Sequence, residues 1–217
     1  MNMLYQLVKK DFLLVKKYLL IMFAAEFGFS VFLSNQIGNM SGGFLVFFLT
    51  TLMIQYALFN SVSMVEYKYK GSALLCATPY TRSALVQAKY LFILAVFIFC
   101  YILYTLAAFI FPKMVVMLNI STFGLSLLIV TAVFGVIIPV QYYFGYEKSK
   151  FIITVFIFIT PFLTPVILKQ LQANNINLHI SLPFPQLLQE LLPLILAVMI
   201  GVISMFISVN IYSKKDL

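Results

Sequence analysis

The sequence is poor in charge. Charged residues make up 9% of its 217 residues and hydrophobic residues 63%, against roughly 25% and 45–50% in soluble domains. A soluble globule cannot bury that much apolar surface, and a disordered chain shows the opposite balance. The composition therefore indicates an integral membrane protein.

Side chains that usually carry catalysis or bind metals are also scarce. Cys76 lies in a polar segment and Cys100 in an apolar run, so we expect two free thiols. His179 has no other metal-binding side chain beside it, so no metal site is predicted. The phosphate-binding run G-x-x-x-x-G-K-[ST] does not occur, and no predicted span contains an aspartate. We therefore expect neither catalysis nor a bound cofactor on this chain.

Long uncharged runs define the fold class. A membrane-spanning helix needs about 20 mostly apolar residues. The run 27–65 is too long for one span and breaks at the polar, glycine-rich stretch 34–43. We predict an all-α membrane protein in which residues 1–217 form a single transmembrane domain. Its six spans lie near 18–36, 43–65, 88–111, 121–144, 151–168 and 190–212.

The basic residues orient these spans. The net charge is +8, but the cations are scattered and form no basic stripe, so no nucleic-acid partner is predicted. With six spans, twelve of the Lys and Arg residues fall on one side and only Lys113 and Lys169 on the other. Because cytoplasmic loops are enriched in Lys and Arg, both termini and the 66–87 loop are predicted to be cytoplasmic.

Residues 4–17 predict a basic amphipathic helix. On a helical wheel the lysines share one arc, and most apolar side chains occupy the opposite face. This segment is either a simple positive anchor or an elbow helix that turns into span one and braces the bundle. Asp11 falls on the apolar face, where an unpaired charge is costly. We therefore expect Asp11 to pair with a nearby Lys or Arg.

The loop after span two contains more than a simple connector needs. Glu66 and Lys70 are four residues apart in the order that favours a helical ion pair. Residues 72–77 predict a short helix that Pro79 ends, and Thr81 can cap the next helix. The loop is either a solvated hairpin or a short helix that docks into a partner's groove.

Glu26 is the only acid well inside a predicted span. Ser30 lies one turn further along, and span two offers Gln55 and Asn60. A charge inside the membrane must pair, protonate or face water. These four residues are therefore either a packing contact between spans one and two or part of a substrate path.

Several of these segments resemble the ABC-2 type permeases of bacterial ATP-binding-cassette transporters. The resemblance is to the compact six-span members grouped with peptide exporters and bacteriocin-immunity transporters. It rests on Lys-Lys-Asp-Phe at 9–12, on the basic tail 212–217, and above all on the 66–90 segment. That segment combines a glutamate, a short coupling helix, the Pro79-x-x-Arg82 turn and Lys89-Tyr90 at the start of span three.

The resemblance implies a function. A separate ATPase subunit would hydrolyse Mg-ATP and dock on the cytoplasmic coupling helix, and a second permease copy or a paralogue would complete the path. The complex would export amphipathic peptides or other hydrophobic cargo across the bacterial cytoplasmic membrane, in contact with lipid. The implied docking residues are Glu66, Tyr67, Lys70, Gly71, Leu74, Thr78, Pro79 and Arg82. The alternatives are a stand-alone secondary transporter or channel, and a membrane immunity protein that binds a toxin peptide.

The topology can be tested with a reporter fused at Asn175, in the predicted loop between spans five and six. We expect the reporter to give an extracytoplasmic signal, and a fusion after Leu217 to give a cytoplasmic one. A cytoplasmic signal from Asn175 would contradict the predicted topology.

Overall fold

The computed structural model describes residues 3–37, 43–69, 80–173 and 186–214, and all regular secondary structure in these ranges is helical. The backbone can satisfy its own hydrogen bonds within a helix, which apolar surroundings require. The seven helices found in the described ranges are α1 (Met3–Leu14), α2 (Lys16–Ile37), α3 (Phe44–Lys68), α4 (Arg82–Ile110), α5 (Ile120–Phe144), α6 (Tyr146–Ala173) and α7 (Gln186–Ser213). The predicted all-α fold is confirmed.

Five of these helices in the described ranges, α2, α3, α4, α5 and α7, are long and apolar enough to cross a membrane. They correspond to the predicted spans one to four and six. Helix α6 covers the predicted fifth span and has 28 residues, or about 42 Å of helix, but it is not one of the five. The count of six spans therefore stays a prediction.

The N-terminal segment differs from the single helix predicted over 4–17. Helix α1 ends at Leu14, and α2 begins at Lys16. Between them lies Val15, which is fully buried, and its carbonyl oxygen accepts hydrogen bonds from the N–H groups of Tyr18 and Leu19. Lys16 and Lys17 therefore belong to α2, and the turn at Val15 sets the angle between the two helices.

Helix α3 is the central helix of the bundle. In its most apolar window 78% of the residues are buried, compared with 17% in α2 and 22% in α7. Phe47 of α3 packs edge-to-face against Phe97 and Tyr104 of α4, with ring centroids 5.7 and 5.2 Å apart. The surrounding helices keep exposed apolar faces, as helices in contact with lipid do.

Small residues allow α5 and α7 to pack closely, and their contact is the most extensive between any two of the described helices. A Cβ atom on Gly135 of α5 would lie 3.4 Å from the Ser204 side chain of α7. Ser204 Oγ donates a hydrogen bond to the Gly135 carbonyl oxygen at 2.6 Å, and the Tyr90 hydroxyl lies 2.7 Å from both Ser204 Oγ and Ser208 Oγ. These contacts join α4, α5 and α7.

Replacing Gly43 tests the start of α3. Gly43 has a φ of +78°, and an added Cβ would lie 2.6 Å from the Tyr104 hydroxyl and 3.0 Å from the Val116 carbonyl oxygen. Because alanine is strained at positive φ, Gly43→Ala should destabilise the protein by more than about 1 kcal/mol in thermal unfolding in detergent. The control is Gly28→Ala, where a Cβ would meet no atom within 4 Å. Equal unfolding temperatures for the two variants would contradict this account.

Candidate functional site: a buried charge cluster

Four charged side chains meet at one end of the bundle, and we call them the charge cluster. They are Lys10 and Asp11 of α1, Glu66 of α3 and Lys89 of α4. Lys10 Nζ lies 2.7 Å from Glu66 Oε1 and 3.0 Å from Asp11 Oδ1. Lys89 Nζ lies 2.8 Å from Glu66 Oε2 and 3.4 Å from Asp11 Oδ2. Each base contacts both acids, so the cluster ties three helices together.

The local sequence explains how these side chains meet. Lys10 and Asp11 are consecutive in α1, so the helix directs the Asp11 carboxylate towards the core and places the Lys10 ammonium group beside it. Glu66 lies in the last turn of α3, which ends at Lys68. Lys89 lies about two turns into α4, whose start is fixed by Thr81, because the Thr81 hydroxyl accepts a hydrogen bond from the Ala84 N–H at 3.2 Å. The predicted cap at Thr81 is confirmed.

The burial of these side chains makes the ion pairs important for the stability of the fold. The Asp11 side chain is 1% exposed and that of Lys89 is 9% exposed, whereas Lys10 is 29% exposed. The prediction that Asp11 pairs with a nearby base is confirmed. Removing one partner of a buried pair leaves a charge without compensation and costs roughly 3–5 kcal/mol. Two positive and two negative charges leave the cluster neutral.

The pKa of Lys10 reflects two opposing effects in the cluster, burial and the charges of the two acids. Burial by itself would lower the pKa of Lys10, but the charges of Glu66 and Asp11 outweigh burial and raise the pKa above its ordinary value of 10.5. A base whose pKa is raised on folding stabilises the folded state below its ordinary pKa, and the stabilisation is lost as pH rises through the raised value. Lys10 therefore contributes fully at neutral pH.

A cavity of about 300 Å³ borders the cluster between α1, α3, α4 and the end of α5. Its other walls carry apolar side chains, such as Phe59 and Ile138, as well as polar ones, including Gln141, whose Oε1 accepts a hydrogen bond from Ser63 Oγ at 3.5 Å. In the described ranges no three His, Cys, Asp or Glu side chains come together as metal ligands would. The ion pairs of the cluster join α1, α3 and α4.

The structure describes three of the predicted docking residues. Glu66 belongs to the charge cluster. Tyr67 is half-exposed, and its ring centroid lies 5.5 Å from that of Tyr146. Arg82 Nη1 donates a hydrogen bond to the carbonyl oxygen of Ser213 at the end of α7, at 2.9 Å. The docking role of these residues stays a prediction. The other predicted docking residues, Lys70, Gly71, Leu74, Thr78 and Pro79, lie outside the described residues.

Of the predicted path residues, Glu26 and Ser30 are fully buried. Glu26 Oε1 accepts hydrogen bonds from the hydroxyls of Thr50 at 3.0 Å and Thr51 at 3.4 Å, and Ser30 Oγ donates to the Glu26 carbonyl oxygen at 2.7 Å. The two threonine contacts join α2 to α3, as the packing interpretation requires.

The other two predicted path residues contact other helices. Gln55 Nε2 donates a hydrogen bond to the Ile93 carbonyl oxygen of α4 at 3.1 Å. Asn60 Oδ1 accepts one from the Tyr146 hydroxyl of α6, also at 3.1 Å. Each of the predicted residues thus has a hydrogen-bond partner within this chain, and a role in a substrate path stays a prediction.

Sequence reasoning missed Lys89 as a site residue and treated Lys10 only as a surface cation. One feature of the sequence could have pointed to Lys89. Asp11 on an apolar face needs a buried base, and Lys89 lies deep enough in α4 to provide one. Thr50 and Thr51 were also missed, because hydroxyls are too common in spans to stand out as partners of Glu26.

The comparison with known families identifies the class of protein. The family model for ABC-2 family transporter proteins matches residues 6–213 of the sequence, and the chain belongs to this family. It is therefore an integral membrane protein and a permease component of an ATP-binding-cassette transporter, without catalytic activity of its own. Membership implies an ABC ATPase partner. No curated protein and no solved structure matches the chain.

Replacing each lysine of the cluster by methionine tests its energetics. Lys89→Met should destabilise the protein by roughly 3–5 kcal/mol, because Glu66 and Asp11 lose their most buried partner. Lys10→Met should cost less, since Lys89 still contacts both acids. Thermal unfolding in detergent measures both effects. Equal losses, or no loss for Lys89→Met, would contradict the proposed role of burial.

Proposed function

We propose that this chain is the transmembrane permease subunit of an ATP-driven exporter of amphipathic peptides or other hydrophobic cargo. The observation that carries the proposal is the family match over residues 6–213, which spans nearly the whole chain. Five apolar helices among the described residues support a membrane path, and the sequence lacks the phosphate-binding run that ATP hydrolysis on this chain would need.

In this proposal the ATPase docks on the segment 66–82, which links α3 to α4. Glu66 of α3 is the first residue of this segment and Lys89 lies on α4, which follows it, and the two contact α1 through Lys10 and Asp11, respectively. A displacement of the docked segment would therefore move the ends of α1, α3 and α4 together. Helix α1 then acts as the elbow helix of a six-span permease whose termini and docking segment are cytoplasmic.

A second permease copy or a paralogue completes the path. Helix α2 supports this part of the proposal, since 17% of its most apolar window is buried within the chain and the rest of that surface is available to lipid or another subunit. ATP binding and hydrolysis on the partner then alternate the two bundles between inward-facing and outward-facing states. Apolar outer faces suit cargo that enters from the bilayer.

The docking assignment is tested by charge reversal at Lys70. In membranes that contain the ATPase partner, Lys70→Glu should lower the amount of ATPase that copurifies with the tagged chain several-fold, and Arg82→Glu should lower ATPase stimulation by cargo. The matched control is Lys148→Glu, which makes the same charge change on an exposed residue outside the segment. Membrane insertion should be equal in all variants.

Two outcomes would overturn the proposed function. If the tagged wild-type chain copurifies with no nucleotide-binding protein, an ATP-driven complex is excluded. If the purified chain alone moves solute across a vesicle membrane, the chain is a stand-alone transporter.

The docking assignment has its own contradicting outcome. If both Lys70→Glu and Arg82→Glu keep full ATPase binding and stimulation, the segment 66–82 is not the docking site.

A further inference from the structure

A narrow apolar groove runs between α4, α5 and α7, on a different part of the bundle from the charge cluster. Its volume is about 360 Å³. The floor includes the buried side chains of Phe97, Val130 and Phe134. The rim includes Leu91 and Val198, which are 43% and 53% exposed. An exposed apolar rim on membrane-spanning helices faces the hydrocarbon of the bilayer, so the groove opens towards lipid.

Gly201 of α7 keeps this groove open. A Cβ atom at Gly201 would meet no other atom within 4 Å, whereas a Cβ at Gly135 would lie 3.4 Å from Ser204 of the same helix α7. Gly201 therefore does not serve a close contact between helices within this chain. Its missing side chain leaves space in the groove that it lines.

The dimensions of the groove limit what can occupy it. Along α4 the lining residues extend from Gln87 to Phe97, which is about 15 Å of helix. That length is half of the roughly 30 Å hydrocarbon core, and so equals the depth of one leaflet.

The volume also fits a hydrocarbon chain. A protein cavity of about 150 Å³ lined by apolar side chains binds benzene, which has six carbons. On that scale a groove of about 360 Å³ holds roughly 14 carbons, close to the length of one lipid tail. Gln87 and, from α1, Leu4 line the groove at the end near the charge cluster, where the membrane-embedded part of α4 begins.

We infer that this groove is a binding site for one acyl chain of a membrane phospholipid, taken from the leaflet at the α1 end of the bundle. The tail lies along α4 from Gln87 to Phe97 and fills the space beside Gly201. The inference rests on these helices spanning the membrane, and it is independent of the cargo and the direction of transport.

Photo-crosslinking tests the site in the full-length chain. The protein is reconstituted in phosphatidylcholine vesicles that contain phosphatidylcholine with a diazirine in one acyl chain, and labelled peptides are mapped after illumination. In the wild type, labelling should concentrate on the groove residues of α4 and α7. Gly201→Leu places a side chain in the groove and should reduce this labelling about fivefold, equivalent to about 1 kcal/mol of site preference.

The matched control is Gly28→Leu on α2, since Gly28 is the same residue type in a spanning helix and a Cβ there also meets no atom within 4 Å. It should leave groove labelling unchanged. Uniform labelling of all exposed apolar residues in the wild type would overturn the site, as would groove labelling that Gly201→Leu leaves intact. A loss of dimers in Gly201→Leu without a loss of labelling would assign the groove to a second copy and overturn the inference.

Discussion

Charges that leave water must be paired, and in this chain that requirement brings α1, α3 and α4 together. Asp11 is almost completely buried, and Lys89 is nearly so. Neither could hold its place alone, because an isolated ion in a low-dielectric interior is strongly destabilised. Glu66 and Lys10 complete a neutral group of four. Three helices thereby acquire one fixed arrangement at one end of the bundle.

The same constraint acts with weaker groups deeper in the bundle. Apolar side chains give helices in lipid little reason to associate, because lipid tails are equally apolar. Hydrogen bonds and close packing must hold the helices together. Glu26 with Thr50 links α2 to α3, and Tyr90 with Ser204 links α4 to α7. A bundle joined by a few buried polar contacts can change its packing, as the proposed transport cycle requires.

Much of this architecture could be predicted from the sequence. The long uncharged runs require helices because lipid cannot satisfy backbone polar groups, and the predicted spans therefore match the observed helices closely. The cap at Thr81 could be predicted because capping depends on residues that are close together in the sequence. The need for a partner to Asp11 was readable for a related reason: a carboxylate on an apolar face is costly wherever it lies.

The identity of the partners could not be predicted in the same way. Lys89 and Thr50 are selected by how helices rotate about their axes, and that depends on tertiary packing of the whole bundle. The turn at Val15 was missed because the wheel of residues 4–17 is equally amphipathic with or without a break. The groove beside Gly201 was also unreadable, since a glycine in a span indicates close packing as often as empty space.

The central claim is that α1 and the ends of α3 and α4 move as one unit when the ATPase acts. The most direct measurement is the distance between spin labels at Lys9 and Lys68, with Cys76 and Cys100 replaced, in the complex with its ATPase. The account predicts the same distance in the nucleotide-free and ATP-bound states, while a label at Lys113 moves relative to both. A change in the Lys9–Lys68 distance on ATP binding would contradict it.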